Sequence, residues 1–385
     1  MDFEFTAGHR RLREEVRAFL EEELRAGTFQ PTCDAWGHVS SREFSRKVGA
    51  RGWIGMTWPR KYGGQERTYT ERLVVTEELL RYGAPAAGHW AADRQMGNSL
   101  LAYGSEELRN SFLPRIARGE VFFCIGISEP EAGSDAAATR TRAVENDGYY
   151  SMSGQKVWTS GAHESDYCYV LARTDPTVPK HKGLSEFIVD LSLPGITIRP
   201  ILSMTGEHHF NEVFFDNVQV PKEMLVGAKN LAWYQMARQI DYERSGMERL
   251  MGNYPLFDAI TRRLKQRREQ TKAGVRHKLA ELWVEFEVGR LLVYRVAWIL
   301  DQGKVPNYEA AMAKTYCTEF EQRAASFAVT ALGPAGLLMP GDRRAELGGS
   351  AAVGHMNATG MTIGGGTSEI LRNVIATRGM GLPHG

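Results

Sequence analysis

The spacing of the apolar residues changes twice along this chain, and this change limits its fold more than any other feature. Residues 1–120 are helical in pattern, with Leu12, Val16, Leu20 and Leu24 at every fourth position. Residues 121–229 contain short alternating or β-branched segments separated by turn signals. Residues 230–385 return to helical spacing. Helices and strands segregated in this way predict an α+β protein rather than a doubly wound parallel sheet.

We predict three domains: an N-terminal helical domain (1–120), a middle β domain (121–229) and a C-terminal four-helix bundle (230–385). Six strand segments should form the β domain and end near Pro221: "VFFCIGIS", "YYSMSGQKVWTS", "YCYVLART", "SEFIVDL", "GITIRPI" and "NEVFFDNVQV". In the bundle, a long helix should pack through one apolar face against an antiparallel neighbour. That face comprises Leu279, Leu282, Trp283, Phe286, Val293 and Leu300.

Composition favours small-molecule chemistry. The 47 Lys and Arg residues balance 46 Asp and Glu residues, so the net charge of +1 gives no attraction to nucleic acid or to an anionic membrane. The charged N-terminus and the absence of an apolar run near ~20 residues predict a cytoplasmic protein without a membrane span.

The four cysteines are widely scattered. His208 and His209 lack further ligands at metal spacing, so we expect a polar loop and no metal site.

Two segments of the β domain carry candidate chemistry. In "CIGISEPEAGSDAAA" a strand leads into a Gly-Ser-Asp turn, where backbone N–H groups and the hydroxyls of Ser128 and Ser134 would converge on a polar ligand. A purely structural turn is the alternative. In "GQKVWTSG" we expect Trp158 and Ser160 on the strand face opposite to Val157 and Thr159. A tryptophan beside hydroxyls suits an aromatic ligand with a polar rim, although it would also suit a core.

A third segment, "TIGGGTSEI", approaches a helix through three glycines, with Thr367 and Ser368 as candidate N-caps. Such a loop either receives a ligand or serves only as a turn.

Together these segments resemble the acyl-CoA dehydrogenase family of flavoproteins, over essentially the whole chain. "GISEPEAGSDAAA" and "KVWTSGA" are similar to that family's flavin-contacting segments, and "GGTSEILRNVIATRGMGLP" to its C-terminal signature. The resemblance implies an oxidoreductase of lipid metabolism that carries FAD. The flavin contacts that it implies are Ile127, Ser128, Gly133, Ser134, Trp158, Ser160, Thr367 and Glu369.

The resemblance also implies the reaction, in which a carboxylate removes the proton α to a thioester carbonyl while hydride leaves the β carbon for flavin N5. Many members carry that carboxylate where this chain has Gly365. "QIDYERSGMERL" is similar to the motif of members that take the base from the bundle, and this assigns the role to Glu243. Glu248 is the competing carboxylate. Gly365 keeps a backbone N–H that would polarise the carbonyl. Expected substrate contacts are Ser134, Asp241, Tyr242 and Arg244.

The motifs that hold the ADP half of FAD in this family are degraded. Phe-Gly is missing after Arg262, Thr330 stands where the family has glutamine, and Pro334 replaces a glycine. The basic residues from Arg262 to Arg268 form either a phosphate site or a solvated helix face. This pattern resembles the base-carrying subunit of bacterial steroid side-chain acyl-CoA dehydrogenases, which are α2β2 heterotetramers. We therefore expect a homo-oligomer, such as a tetramer, or an α2β2 assembly with a second dehydrogenase-like chain.

An electron-transfer flavoprotein is the expected electron acceptor, and CoA is the expected thioester carrier. Three alternatives remain open: an acyl-carrier-protein thioester as substrate, a flavin oxidase or oxygenase on the same fold, and a supporting subunit without activity of its own.

Overall fold

The computed structural model describes residues 4–236, 246–267 and 272–383 of the chain. Two compact units are present. The first comprises Met1–Trp36, Thr68–Ala84 and Asp241–Gly385, and the second comprises Gly37–Arg67 and Pro85–Ile240. The domain boundaries expected at 120/121 and 229/230 remain predictions.

The helices that the structure describes lie before and after the strands in the chain. They are α1 (Ala7–Arg25), α2 (Ala35–His38), α3 (Arg42–Ala50), α4 (Tyr69–Arg81), α5 (Ala87–Ala91), α6 (Gly97–Tyr103), α7 (Glu106–Ala117), α8 (Glu248–Met251), α9 (Tyr254–Gln266), α10 (Ala273–Asp301), α11 (Tyr308–Leu332), α12 (Ser350–Met361) and α13 (Ser368–Val374). Over the described parts of the chain, no helix has the length and apolar character needed to cross a bilayer.

The core of the first unit forms where α9, α10 and α11 meet. Phe257 packs edge-on against Phe320, with ring centroids 5.6 Å apart, and Phe286 lies beside both. The predicted apolar face of the long helix is confirmed, because all six of its residues lie in or against this cluster. Buried Glu77 on α4 links α1 and α10, since it accepts hydrogen bonds from Arg13 (2.6 Å) and Arg290 (3.0 Å).

The second unit is built on a sheet. Its strands are β1 (Phe123–Gly126), β2 (Arg142–Glu145), β3 (Tyr149–Lys156), β4 (Tyr167–Arg173), β5 (Leu184–Asp190), β6 (Ile196–Leu202), β7 (His208–Pro221) and β8 (Leu225–Val226). The order is β6-β7-β3-β2-β4-β5-β8, and β1 pairs in parallel with β4. The fully buried residues Met152, Val170, Phe187 and Val213 contribute to its core.

The sheet differs from the sequence prediction in three ways. All six predicted segments contain strands, but β2 and β8 were missed because β2 buries only Ala143 and β8 has two residues. The strand expected through "GQKVWTSG" ends at Lys156. His208 and His209 begin β7 instead of lying in a polar loop, because the edge of β7 continues to pair with β6 as far as His208.

Candidate active site

A buried lysine links the loop that follows β1 to the end of β3 through hydrogen bonds and an ion pair. Lys156 is fully buried, and its Nζ donates to the carbonyl oxygen of Ile127 (3.0 Å) and to Glu129 Oε1 (2.8 Å). The Val157 N–H donates to the carbonyl oxygen of Ser128 (3.0 Å). The two predicted flavin-contacting segments therefore lie side by side at one end of the sheet.

The charges of this pair are retained in the interior by further hydrogen bonds. Glu129 also accepts from the backbone N–H groups of Arg140 (2.7 Å) and Thr141 (2.9 Å). Burial lowers the pKa of Lys156 to about 8, against the attraction of Glu129. Burial acts to raise the pKa of Glu129, but Lys156 and the hydrogen bonds outweigh it and the pKa is lowered. Both groups are therefore charged at neutral pH, and the ion pair fixes Ile127 and Ser128 in place.

Trp158 begins a turn directly after Lys156 and Val157, the two residues that hold the loop after β1. Its backbone is left-handed, with φ of +59°, and its side chain is 58% exposed with Phe210 edge-on at 5.8 Å. Thr159 is buried and Ser160 is exposed. Positive φ in a bulky residue is strained, and such strain concentrates at functional sites. The predicted alternation of exposure is present, but it comes from this turn and not from a strand.

The surface formed here fits a flat heteroaromatic ring with a polar rim. The exposed indole of Trp158 supplies apolar area, Ser128 and Ser160 in the two adjoining segments carry hydroxyls that are not fully buried, and Ile127 packs against a small apolar cluster. Gly133 and Ser134 are exposed in the same loop, and a Cβ on Gly133 would meet nothing within 4 Å. The isoalloxazine of FAD has this character, so the residues present fit its ring half.

The glycine-rich loop lies in the first unit. Gly365 and Gly366 have φ values of +73° and +98°, which explains why glycine occupies both positions. Fully buried Lys314 on α11 donates through Nζ to the carbonyl oxygen of Gly366 (2.7 Å). Thr367 is the N-cap of α13 and accepts from the Ile370 N–H, as predicted. Glu369 is exposed in the first turn of α13.

The predicted base and its neighbours, Asp241, Tyr242, Glu243 and Arg244, lie outside the described residues. Glu248, the competing carboxylate, is 3% exposed and packs against Gly246 within the first unit.

The residues expected at the ADP half-site are engaged within their own unit. Arg263 Nε and Arg267 Nη2 donate to Glu346 at 2.9 and 3.0 Å, and Arg262 pairs with Asp258. The Thr330 hydroxyl donates to the carbonyl oxygen of Ser326 in its own helix (2.9 Å), and Pro334 lies in a helical turn, Gly333–Leu337. These side chains do not fit a diphosphate site well, because the three arginines already direct hydrogen bonds to the carboxylates of Glu346 and Asp258.

Sequence reasoning missed three polar residues that shape these surfaces: Lys156, Lys314 and Asn211. Lys156 directly follows Gln155 and Asn211 directly precedes Glu212, so the sequence pattern gave no signal that these two polar side chains would be buried. Lys314 lay within a helix read only for its apolar pattern. Across the described ranges, no group of three or more His, Cys, Asp or Glu residues could hold a metal ion.

Comparison with known proteins supports the same reading. Family models match the acyl-CoA dehydrogenase N-terminal domain at residues 6–120, its middle domain at 124–218 and its C-terminal domain at 233–380. The acyl-CoA dehydrogenase FadE29 of Mycobacterium tuberculosis is 32% identical over 394 residues, which cover 100% of this chain and 99% of that protein. The isovaleryl-CoA dehydrogenase of Pongo abelii is 29% identical over 95% of this chain and 87% of its own length.

Two solved structures align with the whole chain. The steroid dehydrogenase Tcur3481-Tcur3483 has a TM-score of 0.91 and 31% identity, with 100% of both chains covered. The ChsE4-ChsE5 complex from Mycobacterium tuberculosis has a TM-score of 0.85 and 30% identity, also with 100% of both chains covered.

The α+β fold class, the FAD cofactor and the resemblance drawn from the three motifs are confirmed. The chain is a member of the acyl-CoA dehydrogenase family, an FAD-dependent oxidoreductase that acts on acyl-CoA.

Proposed function

We propose that this chain catalyses α,β-dehydrogenation of an acyl-CoA thioester at the end of the sheet that carries Trp158. The observation that supports this site is that hydrogen bonds from Lys156 and Val157 hold the Ile127–Ser128 and Val157–Ser160 segments next to each other. These segments carry the exposed indole of Trp158 and the hydroxyls of Ser128 and Ser160. When bound, FAD accepts the hydride that leaves the substrate β carbon. Ile127 and Trp158 would contact its ring, Ser128, Ser134 and Ser160 would donate hydrogen bonds to its polar rim, and Gly133 would allow close approach.

Glu243 serves as the base in this proposal. Gly365 has no side chain, so the position after Gly364 cannot remove the α proton. Glu243 removes that proton, while Ser134, Asp241, Tyr242 and Arg244 orient the thioester. Thr367 and Glu369 contribute further contacts to the cofactor.

Replacement of two carboxylates tests this assignment. We expect Glu243→Gln to slow exchange of the substrate α proton with D2O by about 10²–10⁴-fold, the usual contribution of a general base. FAD content should not change. The matched variant Glu248→Gln should keep its exchange rate, because Glu248 is not the proposed base and is already 3% exposed within the first unit. Loss of exchange in Glu248→Gln with exchange retained in Glu243→Gln would reverse the assignment.

Gly365 supplies a backbone N–H to the thioester carbonyl in this proposal. Gly365→Pro removes that donor and also cannot adopt the φ of +73°, so we expect kcat to fall by at least about 10²–10³-fold, the contribution of one such donor. Gly364→Ala is the matched control, since its added Cβ would meet only the Gly360 carbonyl oxygen at 3.7 Å. A Gly365→Pro variant that dehydrogenates at the wild-type rate refutes the role.

We propose further that a second dehydrogenase-like chain completes the ADP half of the FAD site in an α2β2 assembly. Support comes from Arg263 and Arg267, which are engaged by Glu346, and from relatives that are described as a two-protein complex. The absorbance of FAD in this chain purified alone, compared with the chain co-expressed with such a partner, tests the assembly. One tightly bound FAD per chain in the lone protein would contradict it and indicate a homo-oligomer.

The proposed substrate carries a bulky, steroid-like acyl group, and an electron-transfer flavoprotein accepts the electrons. The steroid acyl-CoA dehydrogenase that aligns over the whole chain supports this choice. We expect kcat/KM for a steroid side-chain CoA thioester to exceed that for a straight-chain acyl-CoA. A preference for the straight chain would rule out this substrate class and leave the dehydrogenation itself intact.

A further inference from the structure

The turn that carries Trp158 is held by the start of β7. The Thr159 N–H donates to the carbonyl oxygen of Asn211, and the Gly161 N–H donates to that of His209, both at 3.0 Å. These bonds continue the pairing of the sheet beyond the end of β3, while Trp158 is displaced outward at positive φ.

The side chain of Asn211 adds a second set of hydrogen bonds to this turn. Asn211 is fully buried, and its Nδ2 donates to the carbonyl oxygen of Thr159 at 3.0 Å and lies 3.4 Å from that of His209. Because carbonyl oxygens only accept hydrogen bonds, these contacts fix the orientation of the amide. Its Oδ1 then accepts from His208 Nε2 at 2.8 Å.

Two stacked imidazoles close the network on its outer side. His163 and His208 lie face to face, with centroids 3.8 Å apart and an interplanar angle of 22°. His163 Nδ1 lies 3.2 Å from Asn211 Nδ2, so it accepts in its neutral form. Burial, followed by the proximity of His208, lowers the pKa of His163, which keeps it neutral at pH 7.

We propose that Asn211 is a positioning residue for FAD, because its buried amide holds the turn that presents Trp158 and Ser160 to the flavin ring. The proposal rests on the function proposed above. Loss of the amide removes the side-chain donor to the Thr159 carbonyl and the acceptor for His208 together, so the turn next to Trp158 is held only by its backbone hydrogen bonds. Asn211 does not touch the reacting atoms, and its effect is on cofactor affinity.

Three variants of the full chain, each purified in the assembly in which it occurs, test this inference. Asn211→Ala removes the side-chain hydrogen bonds to Thr159 and His208 and leaves the backbone hydrogen bonds of the turn. Trp158→Ala removes the proposed flavin contact itself. Gln219→Ala is the matched control, an exposed amide on the same strand. Amide hydrogen exchange at Thr159 and Gly161 is measured before and after removal of FAD, and the Kd for FAD is measured by titration of the FAD-free protein.

In Asn211→Ala we expect exchange at Thr159 to be about tenfold faster and the Kd for FAD to be about tenfold higher, as for loss of a buried hydrogen bond. KM for acyl-CoA should stay unchanged, and Gln219→Ala should match the wild type throughout. Unchanged exchange, or faster exchange with unchanged Kd, overturns the inference. If Trp158→Ala also leaves the Kd for FAD unchanged, the proposed flavin site fails, which distinguishes that failure from failure of the Asn211 role alone.

Discussion

Removal of the amino group of Lys156 is the sharpest test of how the site is held together. In Lys156→Met the methylene groups remain, while Glu129 loses its ion-pair partner and the Ile127 carbonyl oxygen loses a donor. Breaking a buried ion pair from one side costs about 3–5 kcal/mol. Because Arg140 and Thr141 still donate to Glu129, we expect the lower end of that range, about 3 kcal/mol.

Native-state hydrogen exchange measures this cost at the site itself. The backbone N–H groups of Thr141 and Val157 donate to Glu129 and Ser128 in the loop after β1. They are therefore protected from exchange with solvent only while that loop stays bound to β3. A loss of about 3 kcal/mol corresponds to roughly a hundredfold lower protection of these amides. Amides of the first unit should exchange at the wild-type rate.

Two controls separate burial from charge. Lys180→Met breaks the pair with Asp135 at 2.7 Å, but both side chains are 52% exposed, so the cost should be at most about 1 kcal/mol. Lys156→Met/Glu129→Gln should recover part of the lost protection, since a neutral amide can still accept from Thr141 without leaving a buried charge. Protection in Lys156→Met within threefold of the wild type would refute the account of the ion pair.

Three further predictions concern other parts of the chain. Lys314→Met should raise exchange in the loop at Gly366 by about tenfold, because a partly buried carbonyl loses its donor, and exchange mass spectrometry of that peptide measures it. Burial lowers the pKa of His209 to about 3, so between that value and about 6.5 the unfolded chain binds more protons and stability decreases as the pH is lowered. Going from pH 7.5 to 5.5 should cost about 1.4 kcal/mol through His209 alone in urea unfolding, and His209→Gln should lose that share. The dependence that remains in His209→Gln comes from other buried histidines such as His89, whose pKa burial lowers to about 4. Gly97→Ala should lower Tm, since the new Cβ would lie 1.9 Å from Trp58 Cζ2 and overpacking costs about 1–3 kcal/mol.

Much of the architecture could be predicted from the sequence because it depends on the local periodicity of apolar residues. The apolar face of α10 repeats with the helical period, so residues Leu282, Phe286 and Val293 could be assigned to the core before their partners were known. The N-cap Thr367 was predictable for the same reason, since capping involves groups only three residues apart. The flavin-contacting segments and the family followed from motifs, and Glu243 rests on a motif alone.

The buried hydrogen bonds that hold the candidate site together could not be predicted from the sequence pattern. Glu129 and Lys156 are 27 positions apart, and Asn211 and Thr159 are 52 apart. Periodicity reports the face on which a side chain lies, whereas these contacts depend on strand order, register and the point at which β3 ends. The left-handed turn at Trp158 arises where that end meets the start of β7. The spacing of apolar residues therefore determined the fold class, and the motifs indicated the chemistry through their resemblance to a family. Long-range packing determined which buried polar groups hold the turn at Trp158, because their hydrogen bonds exist only after the sheet has formed.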